Sequence, residues 1–292
     1  MRLVTFVMDA DGDARIGAET TAGIVDFGEA APALPRTLLG LLAAGAPALK
    51  TARAVVARAL DDRVGLLPAD RVRLLAPLPR PGKIFGIGFN YREHAVETGN
   101  PIPTVPFVFL KATTAVIGPG AAIELPAVSA MIDYEGELAV IVGRRAKRVA
   151  RADALAHLAG YTIMNDVSAR DYQKNSGHSL AKSFDTFAPM GPVLVTADEV
   201  PDPQRLMLCT RVSGEIMQQS STGGMIFDIP ALIEYISAAA TLEPGDVITT
   251  GTPAGVGMRR TPPRFLRPGD TVAVEISGIG TLQNPVVSAA GE

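Results

Sequence analysis

The sequence has few of the features that mark specialised classes of protein. Cys209 is the one cysteine in 292 residues, so an intrachain disulfide is excluded and a reducing compartment is expected. No apolar run reaches the roughly 18 residues that a membrane helix needs, and the N-terminus carries no cationic-then-apolar signal. The formal net charge of −3 provides no basic field for nucleic acid or an anionic membrane. We therefore expect a cytoplasmic protein that binds neither nucleic acid nor membrane.

Motifs of several common enzyme classes are missing too. The glycine-rich loop Gly251–Gly257 lacks the Gly-Lys-Ser/Thr ending of a P-loop. There is no Gly-x-Ser-x-Gly, complete Gly-x-Gly-x-x-Gly, Cys-x-x-Cys or His-Glu-x-x-His. Serine hydrolases, dinucleotide-dependent enzymes and zinc proteins are therefore disfavoured.

Composition and local pattern indicate how the chain is organised. It is 47% hydrophobic and 20% charged, which is typical of a soluble globular protein with a substantial core. Residues 1–75 are predicted to form a small domain of strands and helices, with a hairpin turn at Asp9–Asp13. The proline-rich residues 76–82 predict an extended linker. Residues 83–292 then form the main domain.

Two predicted strands carry acidic residues at their ends. Glu135 and Glu137 precede the apolar run 138–143 and project from one side of the strand, about 7 Å apart along the chain. The strand 161–165 delivers a third carboxylate, Asp166. Carboxylates at the start of a buried strand are costly unless a cation neutralises them. Hard oxygen ligands favour Mg²⁺ ahead of Mn²⁺ or Ca²⁺, although spacing alone fits an exposed acidic turn equally well.

A short helix over residues 90–97 contains a possible general base. Asn90 and Glu93 fit a capping box at its start. His94 and Glu97 lie three residues apart, so they share one face and can hydrogen-bond. A carboxylate in that position orients an imidazole and raises its basicity. A helix of about two turns is marginal without tertiary support, which suits a lid over a ligand; a solvated helix face is the alternative.

Further polar residues are candidates for binding a substrate. Arg170 and Gln173 lie three apart on a predicted helix and face the same way, available to an anionic or carbonyl-bearing substrate or simply to solvent. Lys182 is a candidate for a fixed positive charge near a developing oxyanion. The Thr252 hydroxyl, with backbone N–H groups of the glycine-rich loop, is predicted to cradle a carboxylate. The role of His178 is left open.

Five ordered motifs resemble those of the fumarylacetoacetate hydrolase family, over roughly residues 80 to 288. They are Gly88-Phe89-Asn90-Tyr91 with His94 and Glu97, Asp133-Tyr134-Glu135-Gly136-Glu137-Leu138, Asn165-Asp166-Val167-Ser168-Ala169-Arg170-Asp171 with Gln173, Lys182-Ser183-Phe184-Asp185, and Gly251-Thr252-Pro253-Ala254-Gly255-Val256-Gly257. The resemblance implies an α+β fold, a mixed β-sandwich or β-roll with flanking helices and a small N-terminal α/β domain. It also implies a homodimer.

The same resemblance implies roles for the candidate residues. The carboxylates that would hold Mg²⁺ or Mn²⁺ are Glu135, Glu137 and Asp166. His94 and Glu97 would form the catalytic pair on the lid. Lys182 would be catalytic and Thr252 would contact substrate, whereas the roles of Arg170 and Gln173 vary between members of the family.

The reaction expected from these groups is metal-dependent chemistry on a 2-oxo acid. The preferred prediction is hydrolysis of a C–C bond in a 2,4-dioxo acid such as an acylpyruvate or fumarylpyruvate, because the His94–Glu97 pair is intact. The alternative is an isomerase or decarboxylase of a 2-hydroxymuconate-type or oxaloacetate-like acid. A third possibility is a catalytically silent protein that binds a metal and a small acid.

Overall fold

The computed structural model describes residues 1–8 and 12–289, which form an α+β fold as predicted. The first strands are β1 (Arg2–Val7), β2 (Arg15–Thr20), β3 (Gly23–Asp26), β4 (Leu66–Leu67), β5 (Arg73–Leu74), β6 (Ile84–Gly88), β7 (Phe107–Lys111), β8 (Val116–Ile117), β9 (Ile123–Leu125) and β10 (Ile132–Asp133). They continue as β11 (Gly136–Val142), β12 (Leu158–Asn165), β13 (Ser168–Ala169), β14 (Ala188–Thr196), β15 (Met207–Val212), β16 (Glu215–Ser221), β17 (Val247–Thr249), β18 (Thr271–Ile276) and β19 (Gly280–Ser288).

Helices flank these strands. They are α1 (Phe27–Ala30), α2 (Leu38–Ala43), α3 (Gly45–Asp62), α4 (Arg92–Thr98), α5 (Arg170–Ala181) and α6 (Ile229–Ala239). Across residues 1–8 and 12–289, none of the helices combines the length and apolar character that crossing a bilayer requires.

A large mixed sheet runs through the molecule. Its order is β4-β3-β2-β1-β14-β12-β11-β17-β6-β7, with β5 beside β1 and β8 beside β14. A second sheet has the order β16-β15-β18-β19-β9, and β10 pairs with β13. The predicted hairpin near the N-terminus is present as the antiparallel pair β1–β2, while residues 9–11 of its predicted turn lie outside the described residues.

Both faces of the large sheet are buried, which explains the continuous apolar sequence of β11. Successive side chains of a strand point to opposite faces. Leu138 and Val140 therefore pack in one core cluster with residues of the second sheet, such as Leu208. Ala139 and Ile141 pack in the other cluster, which contains the buried side chains of α2 and α3.

The N-terminal segment shares this framework with the rest of the chain. β1 pairs antiparallel with β14, with Leu3 opposite Leu194. Helices α2 and α3 contribute Leu41, Ala52 and Val55 to the cluster that covers β11. The division into residues 1–75, 76–82 and 83–292 stays a prediction, but the strands on either side of it belong to one sheet.

The predicted start of the lid helix is wrong. Helix α4 begins at Arg92 after Tyr91, which makes no side-chain capping bond. Asn90 is instead fully buried, and its amide group donates to Thr250 O at 2.7 Å and accepts from Phe227 N at 2.8 Å. A buried amide must find partners. The two bonds therefore hold the segment before α4 against Thr250, just after β17, and against Phe227.

Substitutions in helix α2 test whether residues 1–75 unfold together with the rest of the chain. Leu41 is completely buried, whereas Leu39 on the same helix is 38% exposed. Leu41→Ala is expected to lower the free energy of unfolding by about 2–5 kcal/mol, and Leu39→Ala by about 1 kcal/mol or less. Urea unfolding followed by circular dichroism measures both. A single shifted transition is expected, and two separate transitions would show that residues 1–75 unfold independently.

Candidate active site

The strand pairing brings the three predicted metal ligands together. β11 pairs antiparallel with β12, with Gly136 opposite Asn165, so Glu137 and Asp166 emerge at the same end of the sheet. The backbone N–H of Asp166 donates to Glu135 O at 2.8 Å. One carboxylate oxygen each from Glu135, Glu137 and Asp166 lies within 4.8 Å of the others, and all three residues are buried.

Lys182 lies directly against this triad. Its ammonium group donates to Glu135 Oε2 at 2.6 Å, to Asp166 Oδ2 at 2.7 Å and to Ser168 Oγ at 2.8 Å. An ammonium has three N–H donors, so these bonds occupy all of them. Lys182 is therefore an internal counter-ion in this arrangement, and its predicted contact with an oxyanion stays a prediction.

A second buried lysine, Lys111, was not foreseen as a site residue. Its ammonium donates to Asp166 Oδ1 at 2.5 Å and to Phe187 O at 3.1 Å, and it also contacts Lys182 O. Burial lowers the pKa of Lys111, against the attraction of Asp166. The sequence carried one signal: Lys111 closes β7 on the face of Phe107 and Phe109, where an apolar residue would be expected.

Arg170 joins the triad to the glycine-rich loop. Its Nε donates to Asp133 Oδ2 at 2.8 Å, and its Nη1 lies 2.7 Å from Glu135 Oε1. Asp133 also accepts from Gly257 N at 2.7 Å and Met258 N at 3.0 Å. Gln173 accepts a bond of 3.3 Å from Arg170 Nη1. Arg170 and Gln173 therefore do share a face, as predicted.

The charges of this cluster do not balance. Within the described chain, the interacting buried groups are four carboxyl groups and three cations, namely Asp133, Glu135, Glu137, Asp166, Lys111, Arg170 and Lys182. With every group ionised, the cluster therefore carries one uncompensated negative charge. Burial together with the charges of Asp166 and Glu135 raises the pKa of Glu137 well above its ordinary value. Ionisation of Glu137 is thus disfavoured as long as no further cation is bound.

Glu135 shows the opposite behaviour. Burial disfavours its ionisation, but the charges of Lys182 and Arg170 outweigh burial and lower its pKa below the ordinary value. The pKa of Lys182 is raised, because the attraction of Asp166 and Glu135 exceeds the cost of its burial. These groups hold one another in the ionised state.

This donor set fits a small divalent cation. In an octahedral Mg²⁺ site the ligand oxygens lie about 2.0–2.1 Å from the ion and so about 3–4.2 Å from one another. The triad, with oxygens within 4.8 Å, needs only a small contraction to reach that geometry. A divalent ion would convert the excess negative charge of the cluster into an excess positive charge. Such a centre suits an anionic substrate.

The lid helix brings the predicted general base to the same site. His94 Nδ1 lies 3.0 Å from Glu97 Oε2, and His94 is buried. The other oxygen of the Glu97 carboxylate, Oε1, accepts from Gly255 N at 2.8 Å. Glu97 therefore both orients the imidazole and docks α4 on the glycine-rich loop. The ring of Phe89 stacks on His94 with the centroids 6.1 Å apart.

The glycine-rich loop has a different role from the one predicted. Its N–H groups were expected to cradle a substrate carboxylate, but three of them, and the N–H of Met258 just after the loop, bind carboxylates of the protein. Gly251 N donates to Glu137 Oε2 at 2.8 Å. As described above, Gly255 N donates to Glu97, and the N–H groups of Gly257 and Met258 donate to Asp133. The Thr252 hydroxyl donates to Gly136 O at 3.0 Å. The loop thus fixes the acidic groups of the site, and a substrate contact at Thr252 stays a prediction.

Helix α5 contacts Glu135 from both of its ends. Arg170 and Lys182 bind the two oxygens of the same carboxylate, 2.7 Å and 2.6 Å away. A straight helix of 12 residues would be about 18 Å long. Gly177 interrupts it with φ 77° and ψ 172°, a conformation that is essentially restricted to glycine. This kink, together with two long side chains, lets both cations reach one acid.

A cavity of about 510 Å³ opens over this cluster. Its lining includes the candidate residues Glu135, His94, Lys182, Arg170, Gln173 and Thr252, and also His178, Lys174 and Arg259. Glu137 and Asp166 are not part of its lining, but each has a carboxylate oxygen within 4.8 Å of one of Glu135. Glu135, α4 and α5 thus line one volume, of a size usual for a small-molecule site. His178, whose role the sequence left open, is part of its wall.

The comparisons with known proteins identify the family. The model of the fumarylacetoacetate (FAA) hydrolase C-terminal domain matches residues 83–287. The chain therefore belongs to the fumarylacetoacetate hydrolase family, as the sequence motifs indicated.

Individual relatives extend over nearly the whole chain. An oxaloacetate tautomerase, mitochondrial FAHD2A of Bos taurus, is 44% identical over 292 residues, covering 98% of this chain and 92% of the relative. The oxaloacetate tautomerase YisK of Bacillus subtilis is 45% identical over 262 residues, 87% of each chain. The crystal structure of maleylpyruvate hydrolase from Sphingobium sp. SYK-6 with manganese(II) and pyruvate is 32% identical, with a TM-score of 0.81, and the match covers 99% of this chain and 100% of that one.

These relatives bear on two predictions, the cellular location and the reaction. Several of them are named as mitochondrial proteins, which contradicts the cytoplasmic location expected from the sequence. Tautomerases and isomerases stand among the relatives beside hydrolases. The chain is therefore an enzyme of this family, and the isomerase alternative is better supported than the preferred C–C hydrolase.

Metal addition should stabilise the protein measurably. At a metal concentration about 100 times Kd, binding adds about 2.7 kcal/mol to the free energy of unfolding and should raise Tm by about 5 °C. Glu137→Gln should lose most of this rise, because it removes a ligand while keeping an acceptor for Gly251 N. Differential scanning calorimetry with Mg²⁺, Mn²⁺ or EDTA makes the measurement.

The control for this prediction is Glu243→Gln, which alters an exposed acid paired with Arg145. It should keep the full rise in Tm. An equal rise in Glu137→Gln would show that the ion binds away from the triad.

Gly177→Ala should weaken the metal site without a steric clash. An added Cβ would meet nothing within 4 Å, so the cost of about 1–3 kcal/mol comes from the backbone conformation alone. Relaxation of the kink is expected to withdraw Lys182 or Arg170 from Glu135 and to weaken metal binding. Titration calorimetry with Mn²⁺ measures the affinity.

Gly214→Ala is the matched control, since Gly214 has φ 89° and equally open surroundings in the β15–β16 turn. It should cost stability and leave the affinity for Mn²⁺ unchanged. Unchanged affinity in Gly177→Ala as well would show that the site does not need the kink.

Proposed function

We propose that this protein is a divalent-metal-dependent isomerase that interconverts the keto and enol forms of a small 2-oxo acid of the oxaloacetate kind. The observation that carries the proposal is one cavity lined both by Glu135, a member of the carboxylate triad, and by an oriented imidazole. Keto–enol conversion requires a polarised 2-oxo group and one proton-transfer group, and these two features match that requirement. The tautomerase relatives, at 44% and 45% identity, support this choice over hydrolysis.

Glu135, Glu137 and Asp166 would hold the metal ion. A divalent ion there supplies a Lewis acid toward the carboxylate and the adjacent oxo group of the substrate. We propose Mg²⁺ or Mn²⁺, because the donors are hard oxygens. Lys182 and Lys111 keep two of the acids ionised and in place, so the site is preorganised before the substrate enters.

His94 would carry the proton. Its Nδ1–H donates to Glu97, which leaves Nε2 as the basic nitrogen. Formation of the enol breaks a C–H bond at C3 of the substrate and forms an O–H bond at the C2 oxygen. Nε2 would accept the proton from C3, the Glu97 carboxylate would stabilise the resulting imidazolium, and Nε2 would then return this proton to the C2 oxygen. Closure of α4 over the cavity excludes water from this step.

Hydrolysis of a C–C bond in a 2,4-dioxo acid is the second candidate. The cavity extends beyond the triad to Asn100, Lys174 and Arg259, which leaves room for an acid longer than oxaloacetate. The solved structure of maleylpyruvate hydrolase shares this fold. In that reaction His94 Nε2 would take a proton from water instead of from carbon. We also propose that the protein is a homodimer, as the family resemblance implied.

The assay for the proposed function follows the loss of enol absorbance of oxaloacetate with metal and with EDTA. His94→Ala should lower kcat about 10²–10⁴-fold, the usual contribution of general-base catalysis. His157→Ala is the matched control, since His157 lies outside the cavity and bonds Arg145 O; it should keep the wild-type rate. A near-normal rate in His94→Ala would remove this residue from the mechanism.

Product analysis separates the two candidates. Under the tautomerase proposal, oxaloacetate is converted between its forms without release of pyruvate, and acylpyruvate is not cleaved. Metal-dependent cleavage of acylpyruvate with no acceleration of oxaloacetate tautomerisation would establish the second candidate instead.

A further inference from the structure

The cations nearest the triad are already committed to acids of the protein. Arg170 binds Asp133 and Glu135, and Lys182 binds Glu135 and Asp166, at distances between 2.6 and 2.8 Å. Lys182 has no N–H donor left for a substrate, whereas Arg170 keeps one nitrogen, Nη2, that is buried and has no partner within the described chain. A second carboxylate farther from the triad would have to bind other groups of the cavity.

The aromatic wall of the cavity does not supply such a group. His178 packs against Phe107, Phe109 and Phe89, with ring centroids 4.8, 5.9 and 6.2 Å away. Burial and the neighbouring charge of Lys182 lower the pKa of His178. This wall is thus largely uncharged and suited to the carbon chain of a substrate.

Two further cations line the same cavity, and both are exposed. Lys174 lies on α5. Arg259 directly follows Met258, whose backbone N–H donates to Asp133. Among residues 1–8 and 12–289, neither forms an ion pair with a carboxylate. Their charges are thus uncompensated by the protein at the mouth of an acid-binding cavity.

Lys174 is placed to contact the far end of a substrate held at the triad. It lies four residues after Arg170, on the same face of α5 and about 6 Å farther along the helix axis. Arg170 itself touches Glu135 at 2.7 Å. The flexible ammonium of Lys174 therefore lines the cavity about one helical turn away from the cation that binds Glu135.

Arg259 connects the same region to the lid. Its Nη2 donates to Thr98 O, the last residue of α4, at 2.8 Å. A guanidinium has five N–H donors, so this bond leaves others for a carboxylate. An anion bound by Arg259 would contact the group that also fastens the C-terminal end of the lid helix.

We propose that Lys174 and Arg259 form a subsite for the second carboxylate of a 2-oxo dicarboxylic acid. The inference rests on the proposed function and assigns two residues to the recognition of a dicarboxylic substrate, since a monocarboxylic 2-oxo acid would leave both cations unpaired. Lys174 and Arg259 at the mouth of the cavity would then distinguish dicarboxylic from monocarboxylic 2-oxo acids. The triad and His94 would contact the 2-oxo acid group, which both kinds of acid share.

A matched pair of acids tests the subsite by binding alone. 2-Oxoglutarate and 2-oxopentanoate have the same length and differ at the far end, which is a carboxylate in one and a methyl group in the other. Titration calorimetry on the Mg²⁺-loaded protein should show about tenfold tighter binding of 2-oxoglutarate, as expected for charge-assisted hydrogen bonds at an exposed site. Arg259→Gln and Lys174→Gln should each remove most of that preference, and Arg259→Lys should restore part of it.

Controls separate this role from two others. Arg144→Gln and Lys147→Gln remove exposed cations outside the cavity and should keep the preference. If Arg259 only fastened the lid, Arg259→Gln would weaken both acids equally, and that result would overturn the proposal. Equal binding of both acids to the unaltered protein would overturn the subsite while the proposed function stands. Absence of metal-dependent binding of either acid would overturn both.

Discussion

A buried excess of negative charge is the constraint on which the rest of this structure depends. Lys111, Arg170 and Lys182 neutralise Asp166, Asp133 and Glu135, and Glu137 remains without a cation of its own. Unpaired buried charge is costly, so the fold either keeps Glu137 protonated or holds a metal ion. The second outcome would compensate this charge and create the centre at which we propose that a 2-oxo acid binds.

The surrounding architecture serves to place these charges. Antiparallel pairing of β11 with β12 puts the three acids at one sheet end, and both faces of that sheet are covered, so the acids are buried. Backbone N–H groups of the glycine-rich loop donate hydrogen bonds to Glu137, Glu97 and Asp133. One loop therefore holds a predicted metal ligand, the predicted lid helix and the partner of Arg170 in fixed positions relative to one another.

Much of this was predictable because it is local. The period-two pattern before 138–143, the i, i+3 spacing of His94 and Glu97, and the five motifs specified the α+β fold, the family and the triad. Contacts between distant segments were not predictable. Nothing near Lys111 in the sequence reveals that it meets Asp166, and Asn90 resembled a helix cap until its burial was known. The sequence also did not decide between the two reactions, because a dyad and a metal site serve both proton transfer and hydrolysis.

The location of the bound ion tests the central claim most directly. Crystals grown with Mn²⁺ and measured at its absorption edge should give one strong anomalous peak, about 2–2.3 Å from oxygens of Glu135, Glu137 and Asp166. Lys182 should then remain beside Glu135 with at least one of its present bonds lost. A peak bound elsewhere, or no peak at saturating Mn²⁺ with Lys182 still filling the triad, would contradict the account.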